Sequence, residues 1–524
     1  MRIFFTGLFL LGLITARAVA ADLPDQVSAA LKQAHIPLSS VSILVQETAS
    51  DTPLISLNAD KAINPASTMK LLTTFAALET LGPAYRWKTE AYLDGKLENG
   101  VLQGDLVFKG HGDPKLTVEQ FWMWLRELRQ RGLRDIHGDI VLDHSFFAAV
   151  NQDPAEFDND PTRAYNVGTS ALLLNFNALH LHLIPNGHAT TALLEPDLAG
   201  YTVINRITTS AKSRCGGEVA HGARLDGHNI VLEGSIPADC GEQDDYFSLL
   251  PQDEYFYAVF KALWEELGGT LQGKLRAGIA PADQVPFAEY ISPPLSEVIR
   301  DINKFSNNIM ARQLFLTLGT LQSAGDAVHA SAAQQPSGEN KDSRDDLAKA
   351  QDPGETSLIA GQEGGDTAES DLPVASPAAE ELLTPATIAR STEAIRQWLR
   401  TQQLQFPELV LENGAGLSRK ERISAKHLAE LLQRAAGSPF SAELEASLPI
   451  LGMDGTVKKR FADTDIAGYA HLKTGSLEGV KSIAGYVKAH SGKQWIVVFI
   501  VNHPKAAMAQ PAQDALIEWL QKGS

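Results

Sequence analysis

The stretch Asn64–Thr74, "NPASTMKLLTT", places a serine and a lysine three residues apart at the start of an apolar run. A serine hydroxyl is a weak nucleophile at neutral pH and needs a base within hydrogen-bond reach. Residues i and i+3 share one face of a helix, so Ser67 and Lys70 meet that condition. Near a helix N-terminus the free backbone N–H groups and the positive dipole end also suit a developing oxyanion. A lysine acts as a base only when neutral. Burial and a neighbouring cation both lower its pKa, so this chemistry demands a second positive group nearby.

"STMK" is the sole S-x-x-K of the chain, and by itself such a pattern arises often by chance. "KFSNNIMARQ" adds Ser306 and Asn308 as an S-x-N; Ser56-Leu57-Asn58 matches too, but falls at the end of a strand-like run. "HLKTGSLEGV" adds Lys473-Thr474-Gly475 as the sole K-T-G. It supplies the second cation on a strand, with a glycine that lets a substrate backbone come close. The order S-x-x-K, S-x-N, K-T-G is the set known from penicillin-binding proteins and β-lactamases.

Elements must hold these groups together. A helix over roughly Pro24–Ala34 precedes two short strands, "VSILVQET" and "PLISLN". The serine helix "STMKLLTTFAALETLG" is apolar on most sides, hence buried, and ends at Gly82-Pro83. From Trp87 alternation with glycine turns reads as antiparallel strands, interrupted by the amphipathic "LTVEQFWMWLRELRQRG". The last part gives three strands from "YAHLKTGSL" to "WIVVFIVN" and a closing helix, "PAQDALIEWLQKG". Strands near both ends with helices between them predict an α+β fold whose antiparallel sheet joins the two ends and carries helices on both sides. The expected division is a signal peptide at 1–20, a discontinuous catalytic domain at 21–87 and 286–524, and a β-rich insertion of one or two small domains at 88–285.

Residues 323–383 contain 13 acidic and 3 basic residues and no aromatic one. That composition cannot bury a core and predicts a disordered or mobile loop. The formal net charge of −18 argues against a nucleic-acid partner. Arg2, the apolar run Ile3–Ile14 and Ala18-Val19-Ala20 form a secretory signal, which predicts export to the periplasm. There the two cysteines, Cys215 and Cys240, predict one disulfide. The histidines look scattered and no metal or other cofactor is expected.

Beyond the short motifs, the chain resembles the class C low-molecular-mass penicillin-binding proteins, the D-alanyl-D-alanine carboxypeptidase/endopeptidases of serine type. The resemblance lies in "LNADKAINPASTMKLLTTFAALETLGPAYRWKTE", "VLQGDLVFKGHGDPKLT", "INKFSNNIMARQL", "ENGAGLSRKERIS", "LPILGMDGTVKKRF" and "LKTGSLEGVKSIAGYV". Two departures are Ala415, where the family usually has Ser, and Asn413, where Asp is common. The resemblance implies that Ser67 is acylated and that Lys70 is its base. Ser306 would relay a proton to the leaving amine, and Asn308 would orient Lys70. Lys473 and Thr474 would hold a terminal carboxylate, and the N–H groups of Ser67 and Ser476 would form the oxyanion hole beside Gly475. Asp160 resembles an acidic residue that meets the amino group of a diamino acid, although an aspartate before proline is also an ordinary turn residue.

The expected function is removal of the terminal D-Ala of stem pentapeptides or cleavage of D-Ala–diamino acid cross-links. The expected partners are peptidoglycan stem peptides and cross-links, β-lactams as covalent inhibitors, and loose contact with the membrane or other cell-wall enzymes. A serine β-lactamase is the enzymatic alternative, but Ser67 and Ser306 are 239 residues apart, too far for that compact fold. The non-catalytic alternative is a penicillin-binding sensor or wall-binding module.

Overall fold

The computed structural model describes residues 23–149, 153–186, 189–210, 215, 221–332 and 384–523. The expected signal peptide and residues 333–383 of the acidic segment lie outside these.

A five-stranded antiparallel sheet organises the molecule, in the order Ala470–Leu477, Val480–Lys488, Gln494–Asn502, Val41–Glu47, Pro53–Leu57. The expectation that the sheet joins the two ends of the sequence therefore holds: Val41 stands opposite Val501. The run Trp495–Val501 is buried throughout because both faces of the sheet are covered. On one face Val41, Ile43, Val45, Val497 and Phe499 pack against the helices Asp25–Gln33 and Gln510–Gly523. On the other, Leu44, Ile496, Val498 and Ile500 pack against the serine helix Lys70–Leu81 and its neighbours Leu295–Lys304 and Ala425–Ala436. Each buried Leu, Ile, Val or Phe contributes about 1.5–3 kcal/mol, so this second core fixes the serine helix against the sheet.

The inserted block holds two sheets. The first opens with the hairpin Lys88–Glu98/Val101–Gly110 and is closed by Ala288–Ile291, which pairs antiparallel with Lys88–Glu98. The insertion therefore extends to Ile291, beyond the expected 285, because its opening strand needs that partner. The second sheet has six strands and includes Leu179–Asn186 and Gln243–Phe247. The two sheets, the helix Val118–Gln130 and the helix Gln252–Glu266 share one hydrophobic cluster, centred on Phe108, Phe121, Phe256 and Phe260. The expected disulfide is present: Cys215 and Cys240 are bonded, with Cα atoms 4.8 Å apart.

The helix that starts at Asn308 continues to Ala332. The first ten residues of the segment expected to lack structure are therefore helical. Four of the ten are alanine, the strongest helix former, and only Asp326 is acidic. Among the described residues no helix is long and apolar enough to cross a membrane.

Candidate active site

Ser67 does not lie in the α-helix itself. It sits in a 3₁₀ turn, Ala66–Met69, and Lys70 is the first α-helical residue. Side chains at i and i+3 nearly eclipse in 3₁₀ geometry, which stacks the serine on the lysine. The turn is fastened from several sides. Asn64 N donates to Asn502 Oδ1 and Asn502 Nδ2 donates to Asn64 O, both at 2.9 Å. Ser482 Oγ donates to Pro65 O at 2.6 Å, and Asn64 Oδ1 accepts from Ala66 N at 2.9 Å. Ala66 is held at φ +48°, a left-handed conformation that costs a non-glycine residue about 1–2 kcal/mol. The turn is thus imposed by the sheet rather than by local preference.

Lys70 is completely buried. Its Nζ lies 3.0 Å from Ser67 Oγ, 2.6 Å from Asn308 Oδ1 and 2.5 Å from the Ala415 carbonyl. Burial, then the charge of Lys473, then that of Arg312 hold its pKa well below the ordinary lysine value, with Glu421 opposing them. The second cation that the chemistry demands is therefore Lys473, with Arg312 added to it.

Lys473 is also fully buried, and burial lowers its pKa to about 7. It lies on the sheet's edge strand, donating to Ser306 Oγ at 2.8 Å and to Thr474 O at 2.9 Å. Ser306 occupies the corner between two helices at φ +59°. Thr474 Oγ1 bonds Thr456 Oγ1 at 2.7 Å, and Ser476 Oγ accepts from Lys481 Nζ at 3.0 Å. Gly475 is where the edge strand meets the serine turn. A Cβ there would sit 2.3 Å from Ser482 Oγ and 2.8 Å from Ser67 N.

Several groups at this site were not apparent from the sequence. Glu421 is wholly buried and accepts the N–H groups of Glu412, Asn413 and Gly414 at 2.9–3.0 Å. It shapes the loop that presents the Ala415 carbonyl to Lys70. Because the backbone makes that contact, an alanine at the position where the resemblance leads one to expect serine leaves the bond in place. Burial raises the Glu421 pKa. Arg312, on the helix that carries Asn308, is buried and donates to the carbonyls of Tyr165 and Val167. Burial lowers its pKa to about 10.

These groups open onto a cleft of about 520 Å³ lined by Ser67, Ser306, Asn308, Thr474 and Ser476, with Phe157 and Tyr165 from the insertion and Arg460 and Lys481 from the catalytic domain. Asp160 is not among the lining residues. Its carboxylate accepts Thr162 N, Thr162 Oγ1 and Arg163 Nε, the pattern of a turn. The hydrogen bond from Thr162 leads in keeping its pKa low. Asp158 instead supports the cleft wall, accepting Tyr165 Oη at 2.6 Å and Asn166 Nδ2 at 2.7 Å.

Comparison with known proteins gives the family and the fold. A D-alanyl-D-alanine carboxypeptidase of Actinomadura sp. (strain R39) is 25% identical over 512 residues, covering 94% of this chain and 84% of the relative. The D-alanyl-D-alanine carboxypeptidase DacB of Haemophilus influenzae is 22% identical over 468 residues, covering 88% of this chain and 85% of the relative. The crystal structure of penicillin binding protein 4 (dacB) from Haemophilus influenzae shares the fold, with a TM-score of 0.68 at 22% identity over 94% of this chain and 99% of that one. Residues 23–336 and 374–523 match the D-Ala-D-Ala carboxypeptidase 3 (S13) family. With the serine, its buried lysine and the second lysine gathered on one cleft, the chain belongs to that family of penicillin-binding serine peptidases acting on peptidoglycan.

Proposed function

We propose that the protein is an exported, periplasmic DD-peptidase that cleaves the bond after the penultimate D-Ala of a peptidoglycan stem peptide. The leaving group is either the terminal D-Ala or the amine side of a D-Ala–diamino acid cross-link. The observation that carries this reading is the fully buried Lys70 Nζ, set between Ser67 Oγ, Asn308 Oδ1 and Ala415 O. A neutral amine has two N–H donors and one lone pair. Asn308 and Ala415 take the two donors, which leaves the lone pair facing the Ser67 hydroxyl.

In this mechanism Ser67 Oγ attacks the carbonyl carbon and its proton passes to Lys70. The oxyanion forms against the N–H groups of Ser67 and Ser476, where Gly475 permits close approach. Ser306 Oγ–H protonates the leaving nitrogen and is reprotonated by Lys473, its hydrogen-bond partner. The C–N bond breaks and an ester to Ser67 remains. Water then attacks the ester and gives its proton through Ser306 to Lys473, while Lys70 returns a proton to Ser67 Oγ. Lys473 and Thr474 hold the terminal carboxylate, and the substrate backbone extends along the sheet's edge strand Ala470–Leu477. β-Lactams would stop at the ester.

The test compares mature protein and Ser67→Ala on a pentapeptide muropeptide and on a cross-linked dimer, with products followed by mass spectrometry. Release of D-Ala or monomer by the first protein alone is expected, and the product ratio tells which activity leads. No turnover of either substrate, with no β-lactam adduct, would overturn the reading in favour of a wall-binding module. Rapid turnover of the β-lactam itself would favour a β-lactamase.

A further inference from the structure

The six-stranded sheet of the insertion gathers metal-binding chemistry that the serine mechanism does not use. The strand Leu179–Asn186 begins "LHLHL", with Leu179, Leu181 and Leu183 fully buried in the core. Strand alternation sends His180 and His182 together to the opposite, solvent-facing side. The edge strand Gln243–Phe247 runs antiparallel beside it, with Asp244 opposite His182 and Tyr246 opposite His180. Asp244 Oδ1 lies 2.7 Å from His180 Nε2 and 2.8 Å from His182 Nδ1. One oxygen thus draws in two imidazoles, and all three ligand atoms lie within 4.8 Å of one another. Tyr246 stacks on the His180 ring at 4.8 Å and fixes its plane. A second carboxylate, Glu242, stands 3.5 Å from the other ring nitrogen of His182.

The sequence reading expected no metal because the histidines look scattered. The sheet register, not the sequence spacing, brings the carboxylates to the His-x-His pair. We propose that His180, His182 and Asp244 form a binding site for a zinc-class divalent ion, with Glu242 or water completing the coordination. Two imidazoles and carboxylate oxygen suit zinc, whose Zn–N and Zn–O bonds are about 2.0–2.2 Å. Calcium and magnesium, which want six or more oxygens, are poorly served. Ionised Asp244 replaces two N–H partners with one metal, and the bound ion clamps the edge strand to the sheet. That strand leads directly to the cleft wall. Phe247 pairs with Arg163, and Ser248 N donates to Thr162 O at 2.8 Å, in the segment that carries Tyr165.

The experiment is calorimetric titration of tag-free, chelator-treated full-length protein with zinc alone, and with magnesium as the control. One equivalent of zinc should bind, magnesium should not, and His180→Ala or His182→Ala should each weaken zinc binding by ~tenfold or more. X-ray absorption of the zinc-loaded unaltered protein should count two imidazoles, a readout that does not depend on any variant folding. Failure to bind one equivalent, equal binding by the double variant, or fewer than two imidazoles would overturn the proposal. None of these readouts depends on the peptidase reading.

Discussion

Lys473 touches Ser306 rather than the nucleophile: its Nζ donates to Ser306 Oγ at 2.8 Å, while Lys70 reaches Ser67. In the proposed mechanism the two buried amines serve opposite ends of the scissile bond. Lys70 must be neutral to accept a proton, and Lys473 must be charged to hold a carboxylate. Each charge state favours the other, because a protonated Lys473 lowers the Lys70 pKa.

The pH profile of kcat/KM should show this division. Activity rises with pH as Lys70 loses its proton, and falls as pH passes the Lys473 value of about 7. The fall should be larger with a substrate ending in a free carboxylate than with one ending in an amide, for which Lys473 serves only as the proton donor to Ser306. Lys473→Arg keeps its charge but gives up no proton, so it should lose the alkaline fall and turn over more slowly at every pH. Identical alkaline limbs for both substrates and both proteins would count against a carboxylate role for Lys473.

Asn308→Leu removes one of the two acceptors that aim the Lys70 lone pair. The second-order rate of β-lactam acylation should drop by about 10²–10⁴, read by intact-protein mass against time. Unchanged acylation would mean that Ala415 O alone orients the amine.

Gly475→Ala should cut acylation by about 10²–10³. The added carbon would lie 2.8 Å from Ser67 N and 2.9 Å from Pro65 O, both backbone atoms that cannot rotate away. Adding Ser482→Ala clears only the third close contact, so the pair should stay as slow as the single variant. Recovery in the double variant would place the obstruction at the Ser482 side chain instead.

Asp113, buried in the inserted block, has one oxygen bonded to Lys115 N at 2.8 Å and the other without a partner among the described residues. Burial raises its pKa to about 7. The unfolded carboxyl titrates near 3.9, so between about pH 4 and 7 the folded state holds the extra proton and stability falls with rising pH. Asp113→Asn should match the unaltered protein near pH 4 and exceed it increasingly up to pH 7. The slope is about 1.4 kcal/mol per pH unit, measured by urea unfolding at several pH values. A gap that does not change with pH would show that Asp113 is not titrating in this window.

The residues read most directly from the sequence were those whose partners are local or marked by a motif. Ser67 and Lys70 are three apart on one turn, and the run around Lys473 already read as a strand. Asn58, in the rival S-x-N, donates to the carbonyls of Leu38 and Val41 and belongs to a turn. Glu421 and Arg312 escaped notice because they act through burial and through contacts with backbone distant in sequence. The Ala415 carbonyl has no sequence signature, since any residue supplies one. Gly416 carries the related signal, φ +78° with a Cβ position 1.9 Å from Ala66 O. That reason appears only when the loop lies against the serine turn. The insertion boundary was misplaced for a similar cause: strand pairing, not composition, decides where that sheet closes.

The sheet under the active site is assembled from strands that are far apart in synthesis. Val41 leaves a ribosome long before Val501, its neighbour in the finished sheet, and Lys473 lies on a strand that is completed only through Gln494–Asn502. In a nascent chain the sheet that imposes the serine turn is missing: Asn64 still lacks Asn502 and Lys70 lacks its neighbouring charge. Contacts of such long range form late and slowly. Catalytic competence therefore arrives with the final strands, and a chain interrupted before them is inert, however much of its length has already emerged.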